Sequence, residues 1–390
     1  MAVSNRPSLL ILSFSRIAVD GRVLRQVTEF ARDYDVTTCS MGEHPHPDVV
    51  EHLQLEADQP AWVRHSQGIT LNLRWQWLVY NLNPIMREAR RKLRGRTFDA
   101  VIVDDIPSMG AMSAQVPPER VLLDLHEYWP GIHDDNADWV RLRKPHFEWQ
   151  LRKFGRRASM FTTVNEALAD LYRENFGFDC RVVTNASTWQ PDLAPQPVSD
   201  APRYVHSGVA REARRIDLMM RAVDAASNGA TLDLYLMGEG TEYYRALKQL
   251  ESQLSDRVRI MPPVAHEKLL GVLNQYDVGL PFLPPTTTNI RNCLPNKFFD
   301  YVQARLAIVT GPTPPMASIL EAHDLGRVSN DFTEESLVEA IEALDLDAIT
   351  KYKQNAENAA RHLSAEPQIR VWREMISNAV GQSGSGAKFS

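Results

Sequence analysis

The chain predicts an α/β protein made of two Rossmann-like, doubly wound domains in tandem. Short apolar runs alternate with amphipathic helical segments along most of its 390 residues. A stretch with four prolines, "TWQPDLAPQPVSDAPR" (Thr188 to Arg203), interrupts that rhythm, and the alternation then resumes. Continuous apolar runs between helices indicate parallel strands buried on both faces, and a proline-rich break between two such series reads as an interdomain linker.

In the first half, "SLLILSFS", "DVTTCSMG", "FDAVIVDD", "RVLLDLH", "SMFTTV" and "CRVVTN" read as strands. In the second half, "RYVHSGV", "TLDLYLMGEG", "RVRIMPPV", "YDVGLPFLP" and "LAIVTGP" do the same. The expected organisation is an N-terminal domain over 1–190, a linker over 191–202, a C-terminal domain over 203–365, a helix over 366–380 that crosses back, and a disordered tail over 381–390 rich in Gly and Ser. Asp20 can cap the helix in "VDGRVLRQVTEFARDY", with Val23, Val27 and Phe30 at helical spacing. Thr163 and Glu166 suggest a capping box for "VNEALADLYRENF", with Gly177 as its stop.

Composition narrows the class. A length of 390 residues and 44.2 kDa allows two ordinary cores, and 44% hydrophobic with 24% charged residues fits a soluble globular chain. A formal charge of −6 and a pI near 6.0 argue against nucleic acid as the main partner. Cys39, Cys180 and Cys293 are few, odd in number and widely spaced. They form neither a disulfide framework nor a zinc pattern, and they suit a reducing, cytoplasmic setting. The first apolar run is too short for a membrane span and reads as a strand.

The segment "NCLPNKFFDYVQARLAIVTGP" (Asn292 to Pro312) carries the most chemistry. Ligands of open parallel sheets collect beyond the carboxyl ends of strands, and helix N-termini favour phosphate. Pro295 suits a first helical turn whose next N–H groups are open. At about 100° per residue, Phe298, Phe299, Val302 and Leu306 share one arc while Asn296, Asp300 and Gln303 share the opposite one. That polar stripe is either a solvated face or a ligand-binding one.

This segment resembles the donor site of retaining GT-B glycosyltransferases of glycosyltransferase family 4, with its form "lPnK.fEY.a.G.Pvv". "DLHEYWP" resembles that family's "D.HE.w", "FTTVNEALADLYRENFG" its "itvse.la..y...fG", and "HSGVAREARRIDLMMRAV" its "y.Gr....KGid.li.A". "LYLMGEG" and "VRIMPPVAHEKLLGVLNQYDVGLPFLP" resemble the next strand, the base-binding turn and the "aDvgl.P" strand. The ordered set covers nearly the whole chain. It implies a GT-B fold, two domains facing across a cleft, and transfer of a sugar, as a hexosyl group, from a nucleotide donor with retention of configuration.

By this resemblance Asp300 binds the ribose, and His126, Arg214 and Lys297 act on the donor sugar and the leaving diphosphate. Gly208, Arg215, Gly238, Val264, Leu294 and Asn296 complete the nucleotide site, and Arg22, Asp105 and Glu127 are acceptor-side candidates. No metal or resident cofactor is expected, since cations and amides can stabilise the leaving group. The donor expected is a UDP-sugar, and the acceptor a glycan or lipid-linked glycan.

Several positions depart from the family pattern. Val209 replaces an Arg, so Arg211, Arg214 or Arg215 must supply the charge. Asn292 replaces the first acid of a Glu pair, and Arg305 and Ala307 stand for a Gly and a Pro. Val209 and Asn292 keep a second class open, a GT-B-shaped scaffold without turnover. A sugar-nucleotide epimerase is the neighbouring enzyme reading.

Two basic stretches fall in the N-terminal half. "REARRKLRGR" carries six positive charges against one negative, and "RLRKPHFEWQLRKFGRR" seven against one. Both follow or contain aromatic residues. They read either as solvated helices with buried aromatic faces or as a contact with an anionic surface at the inner face of the membrane through Arg87, Arg90, Arg91, Lys92 and Arg94.

Overall fold

A computed structural model describes residues 6–56, 70–112 and 116–385. The chain forms two compact units. The first comprises the chain through Val183 together with Thr287–Asn289 and the segment from Gln368 onward; the second comprises Thr184–Thr286 and Ile290–Pro367.

The first unit is built on a seven-stranded parallel sheet: β1 (Ser8–Arg16), β2 (Asp35–Met41), β3 (Glu51–Leu55), β4 (Ala100–Asp104), β5 (Val121–Leu125), β6 (Met160–Thr163) and β7 (Cys180–Val182), in the order β3-β2-β1-β4-β5-β6-β7. Its central strands are apolar without alternation because both faces are covered. Leu10, Leu12, Val101 and Val103 enter one core, and Leu9, Ile11, Ala100 and Ile102 the other. Asp20 caps the helix Gly21–Phe30 by accepting from Val23 N. The helix Glu166–Phe176 is capped by Asn165, which accepts from Leu168 N, and not by Thr163. Thr163 ends β6, where its hydroxyl donates to Leu125 O at 2.7 Å. Gly177 closes that helix at φ 73°, as expected of a C-terminal glycine.

The second unit holds six parallel strands: β8 (Arg203–Val209), β9 (Thr231–Met237), β10 (Val258–Met261), β11 (Val278–Gly279), β12 (Ala307–Thr310) and β13 (Gly326–Val328), in the order β10-β9-β8-β11-β12-β13. Alternate residues again feed two cores: Tyr204, Ala307 and Val309 on one face, Val205 and Ile308 on the other. Two strands escaped the sequence reading, β3 and β13. Both lie at a sheet edge, where "EHLQL" and "GRV" need no continuous apolar run.

Residues 184–190 belong with the second unit, where the Gln190 amide N–H donates to Gln303 Oε1 at 3.1 Å. The last helix spans Ala365–Ser385, so 381–385 are helical where a tail was expected; residues 386–390 lie outside the described part. From Gln368 the helix packs into the first unit. There Trp372 is wholly buried, its ring lies 4.7 Å under the Arg22 guanidinium, and its N–H donates to Thr162 Oγ at 3.3 Å. Trp372→Ala removes a full aromatic side chain from this core. It is expected to lower the stability of the first unit by about 3–5 kcal/mol, read as a shift of its denaturant midpoint.

Candidate active site

Each sheet reverses its strand order once, between β1 and β4 in the first unit and between β8 and β11 in the second. Ligands of such sheets bind beyond the carboxyl ends of the strands at that switch point. The predicted donor residues converge at the second of these points. Gly208, near the end of β8, has φ 144°. A Cβ there would lie 2.8 Å from Arg214 Nη1 and 2.9 Å from Lys297 Nζ, so these two cations sit no more than 5.7 Å apart over the glycine. The Arg214 side chain donates to Val209 O at 3.5 Å, and Lys297 Nζ donates to His206 Nε2 at 3.1 Å. Among the described residues neither forms an ion pair with a carboxylate. Burial, and then the neighbouring Arg214, push the Lys297 ammonium well below its usual pKa.

The helix Asn296–Gln303 delivers Lys297. It starts one residue after Pro295, whose own backbone is extended, and no side chain caps it. Phe298, Phe299 and Val302 fix its buried face. Tyr301, one turn beyond Lys297, packs where a Cβ of Gly279 would stand, and its hydroxyl accepts from Ser207 N at 3.2 Å. Lys297 and Tyr301 thus brace the end of β8 together. Beyond the exposed Asn296 the polar arc is not a solvated face. Asp300 accepts a hydrogen bond from the Ser187 hydroxyl, and Gln303 is fully buried, with its amide donating to Ala360 O at 2.6 Å.

The remaining donor-side candidates separate. Gly238 (φ 107°) and Val264 follow the carboxyl ends of β9 and β10 on the same edge of the sheet, Asn296 is exposed at the helix mouth and Leu294 is buried. Arg215 leaves the group. Held at φ 45°, it turns to Asp217 (3.2 Å), so Arg214 alone of the adjacent pair faces Gly208. Arg305 also has a positive φ, 61°, where the family carries glycine. It is compensated by an ion pair with Glu357 and by donation to Gln190 O at 2.7 Å.

At the switch point of the first sheet, His126 follows β5. Its Nε2 lies 3.2 Å from both Asp104 Oδ1 and Asp124 Oδ2, and its Nδ1 3.7 Å from Asp105 Oδ2. Both ring nitrogens therefore face carboxylates. Burial opposes a charge on His126, yet the three carboxylates together hold its pKa well above the ordinary value. Asp105 stands at φ 62°, ψ 154°, a region nearly reserved for glycine, and its Oδ1 accepts from His126 N at 3.0 Å. Backbone strain of this kind gathers at functional sites.

Arg22 corrects an expectation. It does not reach an acceptor: it is 2% exposed, donates to both oxygens of Asp124 (2.7 and 2.9 Å) and to Val183 O (2.6 Å), and belongs to the core. Gln26 donates to Asp124 Oδ2 at 2.6 Å and to Asp104 Oδ1 at 3.0 Å. Asp104, Asp124 and His126 offer ligand atoms within 4.8 Å of one another. Gln26 donates to both carboxylates and Arg22 to Asp124 alone, while Asp104 Oδ2 is buried without a hydrogen-bond partner among the described residues. Glu127 accepts from Asn289 Nδ2, and Asn289 Oδ1 accepts from Tyr128 N at 2.8 Å.

Sequence reasoning missed His206, Ser187, Gln26, Asp124 and Asn289. His206 had a signal, a polar residue directly after Tyr204 and Val205 in "RYVHSGV", and Asp124 had another as the first residue of "DLHEYWP". The basic helix Pro84–Leu93 divides. Arg90 turns inward to Gly110 O at 3.0 Å, and Lys92 folds onto Gln54 O at 2.5 Å. Arg87, Arg91 and Arg94, at helical spacing, are exposed.

Burial, opposed by His126, pushes the Asp104 carboxyl up to about 7 from 3.8. Between these values the unfolded chain has released that proton and the folded chain keeps it, so this contribution to stability falls as pH rises from about 4 to about 7 and is flat beyond. Asp104→Asn is expected to remove that decline, measured as denaturation midpoint against pH.

No family model matches the chain, and no curated protein does. Solved structures do. Sucrose-phosphate synthase from Thermosynechococcus elongatus is similar at TM-score 0.70 and 13% identity, over 95% of this chain and 100% of that one. α,α-Trehalose 6-phosphate synthase from Burkholderia multivorans gives 0.64 and 12%, over 99% and 100%. TarM of S. aureus, in a structure holding UDP, gives 0.58 and 11%, covering 75% of this chain and 59% of TarM. At these identities the likeness establishes architecture: the chain has the two-domain α/β fold of the GT-B glycosyltransferases.

Proposed function

We propose that this protein is a glycosyltransferase that moves a hexosyl group from a nucleoside-diphosphate sugar, a UDP-sugar first, to a glycan or lipid-linked glycan, with retention and without a metal. One observation carries the reading. Arg214 and Lys297 converge over Gly208, neither ion-paired with a carboxylate among the described residues, at the switch point of a parallel sheet and beside an uncapped helix start. Such a site favours a polyanion. UDP in the TarM structure supports the choice of nucleotide.

The chemistry follows from charge. The bond between the anomeric carbon and the diphosphate oxygen breaks, negative charge collects on the departing diphosphate, and Arg214, Lys297 and the amides at Asn296 and Lys297 stabilise it there. The acceptor oxygen bonds to the anomeric carbon on the face the diphosphate leaves, and its proton passes to a phosphate oxygen. Asp300 is the carboxylate for the ribose hydroxyls. His126, with its ring nitrogens turned to carboxylates, contributes a held positive charge.

A lipid-linked acceptor at the inner, cytoplasmic face of the membrane is favoured by Arg87, Arg91 and Arg94 together with Trp75 (56% exposed) and Trp77 (60%). No helix of the described residues is long and apolar enough to cross a membrane. Trp75→Ala with Trp77→Ala is expected to abolish sedimentation with phosphatidylglycerol vesicles while leaving UDP binding unchanged.

Lys297→Ala and Arg214→Ala are each expected to weaken UDP by about ten- to a hundredfold in titration calorimetry, the range for a charge-assisted hydrogen bond. Asp300→Ala is expected to shrink the thermal shift that UDP produces. Release of UDP from a UDP-sugar separates a transferase from a scaffold, and the anomeric proton coupling of the product reads retention.

A further inference from the structure

We propose that His206 is a positioning residue for the leaving diphosphate: its neutral imidazole fixes the Lys297 ammonium over Gly208. The proposal rests on the donor-site reading above. His206 is 1% exposed and lies within β8, three residues before the strand ends. Its Nδ1 is 2.8 Å from Leu280 O. A carbonyl cannot donate, so Nδ1 carries the proton and Nε2 holds a lone pair. That lone pair faces Lys297 Nζ at 3.1 Å. The tautomer is thus set by the chain next to β11, and the only role left to Nε2 is to accept from the ammonium.

The residue type matters because the alternatives fail. A carboxylate at 206 would hold Lys297 equally well, but it would cancel the charge and repel a phosphate. A hydrocarbon would leave an ammonium N–H without an acceptor, and Lys297 could swing toward Asp300, one turn away on its own helix. A neutral acceptor fixes direction without adding negative charge. A second proton on His206 is opposed by burial and then by Lys297, which together push its pKa well below the ordinary value. Arg214 opposes it as well; the hydrogen bond to Leu280 O acts the other way and is outweighed, and among the described residues no carboxylate is paired with His206. The imidazole therefore stays neutral across the working range.

The test is UDP affinity from pH 6.5 to 9.5 for the full chain and three variants. His206→Phe keeps the volume and loses the acceptor. It is expected to weaken UDP about tenfold and to move the alkaline loss of binding to lower pH, since the lysine loses its acceptor while burial and Arg214 still oppose its charge against the weaker support of Asp300 and Cys293. His206→Gln, whose amide oxygen reaches the place of Nε2, is expected to restore both. A purely structural role would not give a moved pH limb that Gln repairs. Should the Phe variant fail to fold, His206→Glu against His206→Gln decides: Glu pairs with Lys297 and is expected to bind UDP at least tenfold more weakly than Gln. Phe within twofold of wild type with the same pH limb, or Glu equal to Gln, overturns the inference and leaves the donor site standing. Absence of UDP binding by the unaltered chain overturns both, and so separates the two failures.

Discussion

Two cations held side by side, with Asp300 one turn from Lys297 but neither cation ion-paired with a carboxylate among the described residues, are the constraint around which the second unit is arranged. At no more than 5.7 Å, Arg214 and Lys297 repel by about 3 kcal/mol at an effective dielectric constant of about 20. The fold must offset that cost. It does so with a glycine at φ 144° that leaves room for both side chains, a helix whose Phe298, Phe299 and Val302 are locked in the core, and Tyr301 braced against Ser207. A bound polyanion turns the repulsion into attraction. The site is therefore strained toward its ligand, and the surrounding packing makes that strain affordable.

The first unit solves the reverse problem. Asp104, Asp105 and Asp124 bring three carboxylates to the carboxyl ends of β4 and β5, against the single fixed cation Arg22. His126 supplies a second positive charge, and the raised pKa of Asp104 retains a proton. Charge is balanced there by protons and by Gln26 and Thr162, which donate into the same oxygens. That balance places His126 as part of a network, with its ring held rather than free to swing.

Much of this was legible in the sequence. Strands buried on both faces announce themselves as unbroken apolar runs, which is why "SLLILSFS" and "RYVHSGV" matched their strands while the edge strands β3 and β13 did not. Asp300 stood out through helical spacing and resemblance and Lys297 through resemblance, and of the three arginines left open Arg214 is the one at Gly208. Long-range pairing was not legible. Arg22 reads in the sequence as an acceptor-side residue because its partner, Asp124, lies 102 residues away. Ser187 and Gln190 read as part of the N-terminal domain because their partners, Asp300 and Gln303, lie 113 residues on. Thr163 mimicked a capping box because a strand end and a helix cap favour the same hydroxyl.

The central claim, that Gly208, Arg214 and Lys297 hold a diphosphate, is tested most directly by comparing UDP with UMP in titration calorimetry on the unaltered protein. The two ligands share base and ribose and differ by one phosphate. The account predicts that UDP binds at least tenfold more tightly, with the difference shrinking as salt is raised, because the gain comes from two cations. Equal affinities for UDP and UMP would contradict it.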